Sequence, residues 1–494
     1  MVKETKNSNI YSLALMIMLS CLIQIVALVK SSLVAGTFGI STEMDAYNFS
    51  NSISTLIYSF IIAGISTIVI PCYVKEEDSK IVNTFLTVII CIVFLISMIV
   101  ICFRDSIISY ISGRSSNFVC IASHLLLILL CFNFFTIFSG ITGAFFQYKE
   151  KYNFPKIINL IIDIAVVIAI LLINDLNIFI YAFILGIGIL LNALCSCTYA
   201  VINGWSFRFS FHLLDPKVKQ LLVSFLPILF SSGIYQLSLA VDAAIASRLS
   251  TGNISLLNYS NQISNMVNTL VIGNLLVYFY PKIVRNIELK KPQKTFWEQS
   301  YFLHSIICLI IAGYIAVGRE GISFLFEHGK FDNESTGIVY QLGVLYIFVQ
   351  QITIVRDIIY RYFYSYGNTK SPSFNSFLAT VVNIVVSIVL VIYKGVYGIV
   401  WGTVISSFFS LVKIMFEFKK RYGYEEKIIN IIKQYLFTNS IMIFTLLIVF
   451  MTKRLIILTS NILNIFIFGF ETILVYFILT KILDKKMLRI VREI

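Results

Sequence analysis

The chain has 494 residues, 58% of them hydrophobic and 13% charged, with a mean hydropathy of +0.88 and a formal net charge of +13. A soluble globular chain carries roughly 25% charged residues, so a water-soluble fold is excluded and lipid is the solvent. The lysines and arginines are scattered over many short turns, which offers nucleic acid no patch; they fit topology and anionic headgroups instead.

Taken in chain order, about 14 apolar runs of spanning length are predicted, near 11–37, 45–71, 81–103, 117–146, 155–173, 178–201, 218–247, 254–280, 296–317, 335–363, 374–393, 396–417, 432–451 and 456–482. A short polar lead over 1–9 precedes them. The first run is too long for a signal peptide and lacks a small-residue cleavage site, so it is expected to stay as a span. The fold class is thus an all-α polytopic membrane protein. With the N-terminus inside, the inner turns hold roughly 27 lysines and arginines against roughly 8 outside. The inner set includes Lys156, Lys282, Arg285, Lys290 and Lys291; the outer set includes Arg104, Arg114, Arg248 and Arg319. This predicts a multi-pass membrane protein with both termini cytoplasmic. Nine cysteines lie almost wholly within the runs and are read as small apolar residues. Cys195 and Cys197, two apart on a helix, face different ways and make no metal pair. No loop is long enough for a soluble domain, which argues against a membrane enzyme with its chemistry on a large external domain, and no P-loop is present, which argues against ATP hydrolysis within this chain.

The chain repeats itself. Asn48-Phe49-Ser50-Asn51-Ser52-Ile53-Ser54 recurs as Asn258-Tyr259-Ser260-Asn261-Gln262-Ile263-Ser264, and Pro71 falls on Pro281 at the same spacing. Further on, Arg104-Asp105 answers Arg319-Glu320, and Phe146 with Pro155 answers Phe363 with Pro372. The repeat predicts two six-helix lobes, 1–201 and 218–422, joined by a cytoplasmic linker over 202–217 that ends in Asp215-Pro216. Residues 423–494 add two C-terminal spans without a repeat partner and a tail. Repeated lobes are a common build of secondary transporters, with the substrate site at the repeat interface.

An ionisable group at mid-bilayer costs about 2.5–3.5 kcal/mol on insertion scales, so each one within a span is a candidate for function. Lys30 lies deep in span 1 and Asp242 holds the equivalent place in span 7. Either Lys30 binds an anionic headgroup with Asp242 as counter-ion or coupling site, or the two form an ion pair that keeps the lobes in register. Asp45, at the start of span 2, is read as a helix cap or as a gate. Asp163, one turn from Asn159 in span 5, either carries a coupling Na+ or H+ or hydrogen-bonds within its lobe. Arg356 and Asp357 in span 10 are read first as mutually neutralising, and Glu471 in span 14 has no repeat counterpart. The repeated amides and hydroxyls, among them Asn48, Asn51, Asn261, Gln262 and nearby Asn265, serve mainly to pack helices. Those facing a cavity are candidate donors to sugar hydroxyls. His124 and His304 stand in no metal-ligand spacing.

Two loop stretches carry a resemblance. Phe324-Leu325-Phe326-Glu327-His328-Gly329-Lys330-Phe331-Asp332 precedes span 10, and Arg361-Tyr362-Phe363-Tyr364-Ser365-Tyr366-Gly367-Asn368-Thr369-Lys370-Ser371-Pro372 follows it. Together they resemble the second-lobe signatures of the MurJ/MviN family of lipid II flippases, in the multidrug/oligosaccharidyl-lipid/polysaccharide exporter superfamily. Phe38-Gly39 followed by Asp45-Ala46-Tyr47 is similar to that family's motif between its first two helices. The resemblance implies flipping of an undecaprenyl-pyrophosphate-linked sugar from inner to outer leaflet by alternating access. It implies no cofactor, membrane lipids and cell-wall synthesis proteins as partners, and a cationic cavity to which Lys30 would contribute. Gly36 and Tyr58 stand where the family typically has arginines, and Asn261, Gln262 and Asn265 where its helix 8 often carries Asp, Arg and Glu.

Four other functions compete, one of them a non-transporting scaffold or regulator, to which the missing helix 8 charges point. A flippase for another polyprenyl-linked oligosaccharide, of capsule or O-antigen type, has the same physics. A cation-coupled multidrug exporter would favour an acidic cavity, against Lys30. A membrane glycan polymerase would need acids on an outer loop, and the stretch 318–334 holds Glu320, Glu327, Asp332 and Glu334.

Overall fold

In hydrocarbon every backbone N–H and C=O must find a partner within the chain, so long apolar runs become helices. The structure, a computed structural model, describes residues 2–74, 78–149, 151, 153–456, 458–484, 486–487 and 489–490. The chain divides into two compact units, Met1–Ser255 and Leu256–Ile494. The first holds α1 (Val2–Phe38), α2 (Thr42–Val74), α3 (Ser79–Cys102), α4 (Arg104–Ser112), α5 (Ser116–Asn133), α6 (Thr136–Tyr148), α7 (Asn153–Leu172), α8 (Ile178–Ile202) and α9 (Pro216–Ser247). Then come α10 (Asn253–Val267), a π-helical turn at Asn268–Ile272 and α11 (Gly273–Glu288). The remainder is α12 (Gln293–Phe326), α13 (Asn333–Ser365), α14 (Lys370–Lys394), α15 (Val396–Tyr422), α16 (Ile428–Leu455) and α17 (Asn461–Leu483).

Among the described residues 13 helices are long and apolar enough to cross a membrane. The fourteenth expected span corresponds to α9, where Gln236–Ser247 forms a shorter apolar stretch and several preceding side chains lie outside the described residues. Large apolar side chains cover the faces that meet no other helix. On α17, Phe466, Phe470 and Phe477 are 72%, 66% and 61% exposed, which only a lipid solvent makes favourable.

Polar residues set the helix ends. Ser41 Oγ accepts from Met44 N–H at 3.2 Å at the start of α2, and Asp78 accepts from Lys80 N–H at 2.9 Å at the start of α3. Asp215 caps α9 with Pro216 in its first turn, as the polar break in the linker predicts. The linker is docked: Trp205 Nε1 donates to the Tyr73 hydroxyl at 3.2 Å, and Ser210 N–H donates to Thr87 Oγ1 at 3.2 Å.

Two expectations change in detail. Residues 104–112, read as loop, form α4, closed by Gly113 in the left-handed region at φ 61. The acidic outer loop expected over 318–334 shrinks to residues 327–332, because α12 runs on to Phe326 and α13 starts at Asn333. A broad acidic loop for glycan chemistry is therefore not built.

Within the first unit α2 is central, lying against α5, α6 and α9, while α1 runs along α7 and α8 closes on α5, α6 and α7. In the second unit α12 lies against α13, α16 and α17, and α14 against α15. The repeat is visible in single hydrogen bonds. Ser50 Oγ donates to Ala122 O at 2.8 Å, and its counterpart Ser260 Oγ donates to Val339 O at 3.3 Å. Ser54 Oγ accepts from Asn133 Nδ2 at 2.8 Å, and Ser264 Oγ accepts from Gln350 Nε2 at 2.8 Å. The repeated serines thus fasten each motif helix to the fourth span of its own lobe.

Candidate functional site

Inside the first unit, polar side chains line a cavity of about 300 Å³. It is built where a helix breaks. Phe134 and Phe135 separate α5 from α6, and Thr136 Oγ1 turns back onto Asn133 O at 2.5 Å. Asn133, Thr136 and Ser139 therefore reach the cavity from one helix edge, while Asn159 and Asp163, one turn apart on α7, reach it from another. Ser139 Oγ donates to Asn192 Oδ1 at 3.1 Å, and Asn192 Nδ2 donates to Asn159 Oδ1. Lys30 and Asn51 complete the polar wall. Lys30 Nζ stands 3.3 Å from Asp163 Oδ1, both side chains about a quarter exposed at 23% and 28%. The acid beside Lys30 is therefore Asp163, on α7, where the repeat had suggested Asp242 on α9. Asp242 is buried on α9 at 7% exposure.

Asp45 lies elsewhere. Its carboxylate is fully buried and does not cap its own helix, where Ser41 holds that position. Asp45 Oδ1 accepts from Ser255 N–H at 2.9 Å and Ser255 Oγ at 2.8 Å, so it caps the first turn of α10. Oδ2 accepts from Gly252 N–H at 2.7 Å and Arg114 Nη1 at 3.0 Å. Arg114 also donates from Nε to Ser247 O at 2.6 Å and from Nη2 to Leu249 O at 3.3 Å and Ser250 O at 3.0 Å. One buried carboxylate thus ties α2, the α4–α5 turn and the α9–α10 turn into a hub. Asn48 Nδ2 adds a bond to Ser255 Oγ at 3.5 Å. Gly252, at φ 95, takes a backbone shape that side chains rarely adopt, and its Cβ would fall 2.1 Å from Ile40.

In the second unit Arg356 and Asp357 neutralise each other, with Nη2 at 2.8 Å and Nε at 2.9 Å from Asp357 Oδ1. The guanidinium also stacks 5.4 Å above the Tyr360 ring. On α10, Asn261 and Gln262 are half-buried and Asn265 is exposed. Glu471 accepts from Thr452 Oγ1 at 2.8 Å. The two unrepeated helices are joined to α12 and α13 by buried polar bonds. Gln351 Nε2 donates to Asn439 Oδ1 at 2.5 Å, Tyr476 donates to Ser305 O at 2.8 Å and Tyr301 donates to Asp484 Oδ2 at 2.5 Å. His304 is buried edge-on to Tyr435 at 4.8 Å, and His124 bonds its own helix at Cys120 O, 2.7 Å away. Among the described residues no three His, Cys, Asp or Glu side chains are grouped to hold a metal ion.

The structure therefore brings Lys30, Asn51 and Asp163 together, sets Asp45 and Asn48 at a separate hub, and leaves Arg356 and Asp357 as their own pair. Arg114, Asn133 and Asn192 escaped the sequence reading. Asn133-x-x-Thr136-x-x-Ser139, polar every third residue in an apolar run, is a signal that would have found the cavity edge. Arg114 looked like any outer-loop cation.

Fold and site define a polytopic helical membrane protein with a polar cavity among the spans of its first unit. The lipid II flippase MurJ family model matches residues 34–477, and the chain belongs to that family. The probable lipid II flippase MurJ of Rickettsia prowazekii is 24% identical over 210 residues, covering 42% of this chain and 41% of that protein. That of Borreliella burgdorferi is 21% identical over 437 residues, covering 84% of each chain. In the first of these relatives the match thus spans about two fifths of its length. Among solved structures, a lipid II flippase MurJ in an inward closed conformation superposes with a TM-score of 0.84 at 21% identity, over 96% of this chain and 100% of that one. At that identity the superposition shows the fold.

Proposed function

We propose that this chain flips lipid II, an undecaprenyl-pyrophosphate-linked cell-wall precursor, from the inner to the outer leaflet of the plasma membrane by alternating access, with both termini cytoplasmic. Family membership supports this class of cargo, and the observation that carries the reading is the Lys30–Asp163 pair on the wall of an amide-lined cavity within the spans. Moving a sugar-bearing pyrophosphate through hydrocarbon is prohibitive because its polar groups lose water. A wet cavity replaces that water. A pyrophosphate oxygen competes with Asp163 for the Lys30 ammonium, and Asn51, Asn133, Ser139 and Asn192 offer hydrogen bonds to sugar hydroxyls. Freed from Lys30, Asp163 becomes able to take a proton or Na+, which links cargo to coupling ion. The hub at Asp45 is read as the outer latch that must open to release cargo, and the repeat halves 1–201 and 218–422 as the bodies that move. Asp242 then serves as a counter-ion, Arg356 and Asp357 stay a self-neutralised pair, and Asn48, Asn261, Gln262 and Asn265 act as polar groups along the route. Cell-wall synthesis proteins are the partners this role calls for.

The test is outer-leaflet lipid II in cells depleted of their own flippase and supplied with this chain, wild type beside Lys30→Ala. Exposure restored by wild type and lost with Lys30→Ala is expected. Equal exposure with both would remove Lys30 from the mechanism. No restoration by protein shown to be in the membrane would refute lipid II as cargo and favour another polyprenyl-linked oligosaccharide.

A further inference from the structure

A second set of charges is gathered where α11 hands over to α12, on the face that carries the lysine-rich turns. Two adjoining cavities of about 260 and 280 Å³ share Asn286, Lys291 and Gln299 in their walls. Lys290 lines the first, and Lys282 and Arg285 line the second. None of the ion pairs among the described residues uses Arg285, Lys290 or Lys291. Glu298 is the one carboxylate on the second wall, so cations outnumber it there. On the first wall Glu425 is already engaged, accepting from Gln293 N–H at 2.6 Å.

Two further features shape this turn and its wall. Lys290, at φ 49°, is the left-handed residue that closes the end of α11, where Lys291 N–H reaches Asn286 O at 2.9 Å, and this turn aims the lysines into the cavities. Gln299 is 7% exposed, and its Oε1 is buried without a hydrogen-bond partner. A buried carbonyl in that state is unfavourable until a donor reaches it. The site therefore asks for two things at once, negative charge for the cations and an O–H for the amide. Leu289 and Ile490 give the second cavity an apolar side.

We propose that these cavities form one binding site for a phosphodiester anion bearing a free hydroxyl, the chemistry of a phosphoglycerol headgroup. The phosphate sits among Arg285, Lys290 and Lys291, and the hydroxyl donates to Gln299. Basic pockets between spanning helices on this side suit lipid headgroups, and the apolar side suits the start of an acyl chain. A membrane lipid is accordingly the expected source, with a soluble glycerophosphate as the alternative. The site stands apart from the cargo cavity and does not depend on which cargo is flipped.

Native mass spectrometry of the purified full chain, incubated with phosphatidylglycerol, phosphatidic acid or phosphatidylcholine, reads the site directly. Wild type should retain phosphatidylglycerol over phosphatidylcholine at least tenfold. Arg285→Ala/Lys291→Ala should lose that preference, while Lys294→Ala/Lys330→Ala, equal in charge change but outside both walls, should keep it. Gln299→Leu should hold phosphatidylglycerol no better than phosphatidic acid, which lacks the hydroxyl. Equal retention by both double variants, or no preference over phosphatidylcholine in wild type, overturns the site. Binding of sn-glycerol 3-phosphate with the same variant dependence, and no lipid retention, overturns the lipid source.

Discussion

Removing Arg114 tests whether the hub around Asp45 is held by charge. Arg114→Ala takes one of four donors from a carboxylate with 0% exposure, and removes a donor from the carbonyls of Ser247, Leu249 and Ser250, the last of which keeps Asn253 Nδ2. Breaking a buried ion pair from one side costs about 3–5 kcal/mol, because the remaining charge is left uncompensated. Asp45 keeps Gly252 and Ser255 as donors, so the lower end, about 3 kcal/mol, applies here. At about 1.4 kcal/mol per factor of ten, the open fraction of the hub rises roughly 150-fold. Asp45→Asn alone should cost about 2 kcal/mol, since an acceptor oxygen survives but the charge does not. The double variant should cost little more than Arg114→Ala, a coupling of about 2 kcal/mol.

The readout is a thiol. Ser112 is fully buried beside the hub, and Cys102, Cys120, Cys131 and Cys195 are the exposed native cysteines. In a background lacking those four, Ser112→Cys should react with a membrane-impermeant maleimide only when the hub opens. A labelling rate within threefold of the parent after Arg114→Ala would refute the reasoning. So would additivity of the two substitutions to within about 0.5 kcal/mol.

Other outcomes follow from single contacts. Ser54→Ala and Ser264→Ala each strand a buried amide, Asn133 or Gln350, and should lower stability in detergent by similar amounts of about 1–3 kcal/mol; thermal denaturation followed by size exclusion checks both. Gly398→Ala should be at least as damaging, since its Cβ would fall 2.4 Å from the backbone of Leu390, which cannot rotate away; failure to lower the midpoint by several degrees would contradict that packing. Asp332 caps α13 outside the membrane, and the Ser335 hydroxyl and backbone N–H hold its carboxyl below the usual carboxylate range. A depressed folded pKa stabilises above the unfolded value and fades as pH falls through the folded one. Asp332→Ala should therefore cost about 1 kcal/mol near neutral pH, with the gap to wild type closing below about pH 4; a gap independent of pH would exclude the capping charge.

Spans were legible because hydrocarbon forces one answer on a long apolar run. The breaks within them were not. The interruption at Phe134–Phe135 contains neither proline nor glycine, and the π-helical turn at Asn268–Ile272 sits in an unremarkable apolar stretch. At each a side chain bonds a backbone carbonyl: Thr136 Oγ1 takes Asn133 O, and Asn274 Nδ2 takes Leu270 O at 2.7 Å. Charged partners were legible only when local. Arg356 and Asp357 neutralise one another as neighbours, whereas Lys30 and Asp163 are 133 residues apart and meet only through the packing of α1 on α7. The repeat suggested Asp242 instead, since it relates equivalent positions and says nothing of which residues touch. The hub was hidden for the same reason, with Arg114 and Asp45 brought together by turns that sequence periodicity does not describe.

The repeat also shows where the two lobes have parted. Its packing contacts are shared, serine for serine, on α2 and α10. At the spacing that sets Phe146 on Phe363, the cavity residues Ser139, Asn159 and Asp163 fall on Arg356, Ser376 and Thr380. The first lobe thus places its acid on the fifth span, where it meets a lysine from the first. Its counterpart carries both charges on the tenth span, where they cancel locally. A lysine whose counter-ion can be displaced serves an anion, while a pair of adjacent residues 2.8 Å apart is already satisfied. On the proposed function, the contacts to an anionic cargo then fall to the first lobe. Lys30→Met should abolish transport where Arg356→Met together with Asp357→Leu, replacing a self-neutralised pair by apolar groups of similar size, should leave most of it. Equal loss in the two variants would place the anion site in both lobes and end the asymmetry argued here.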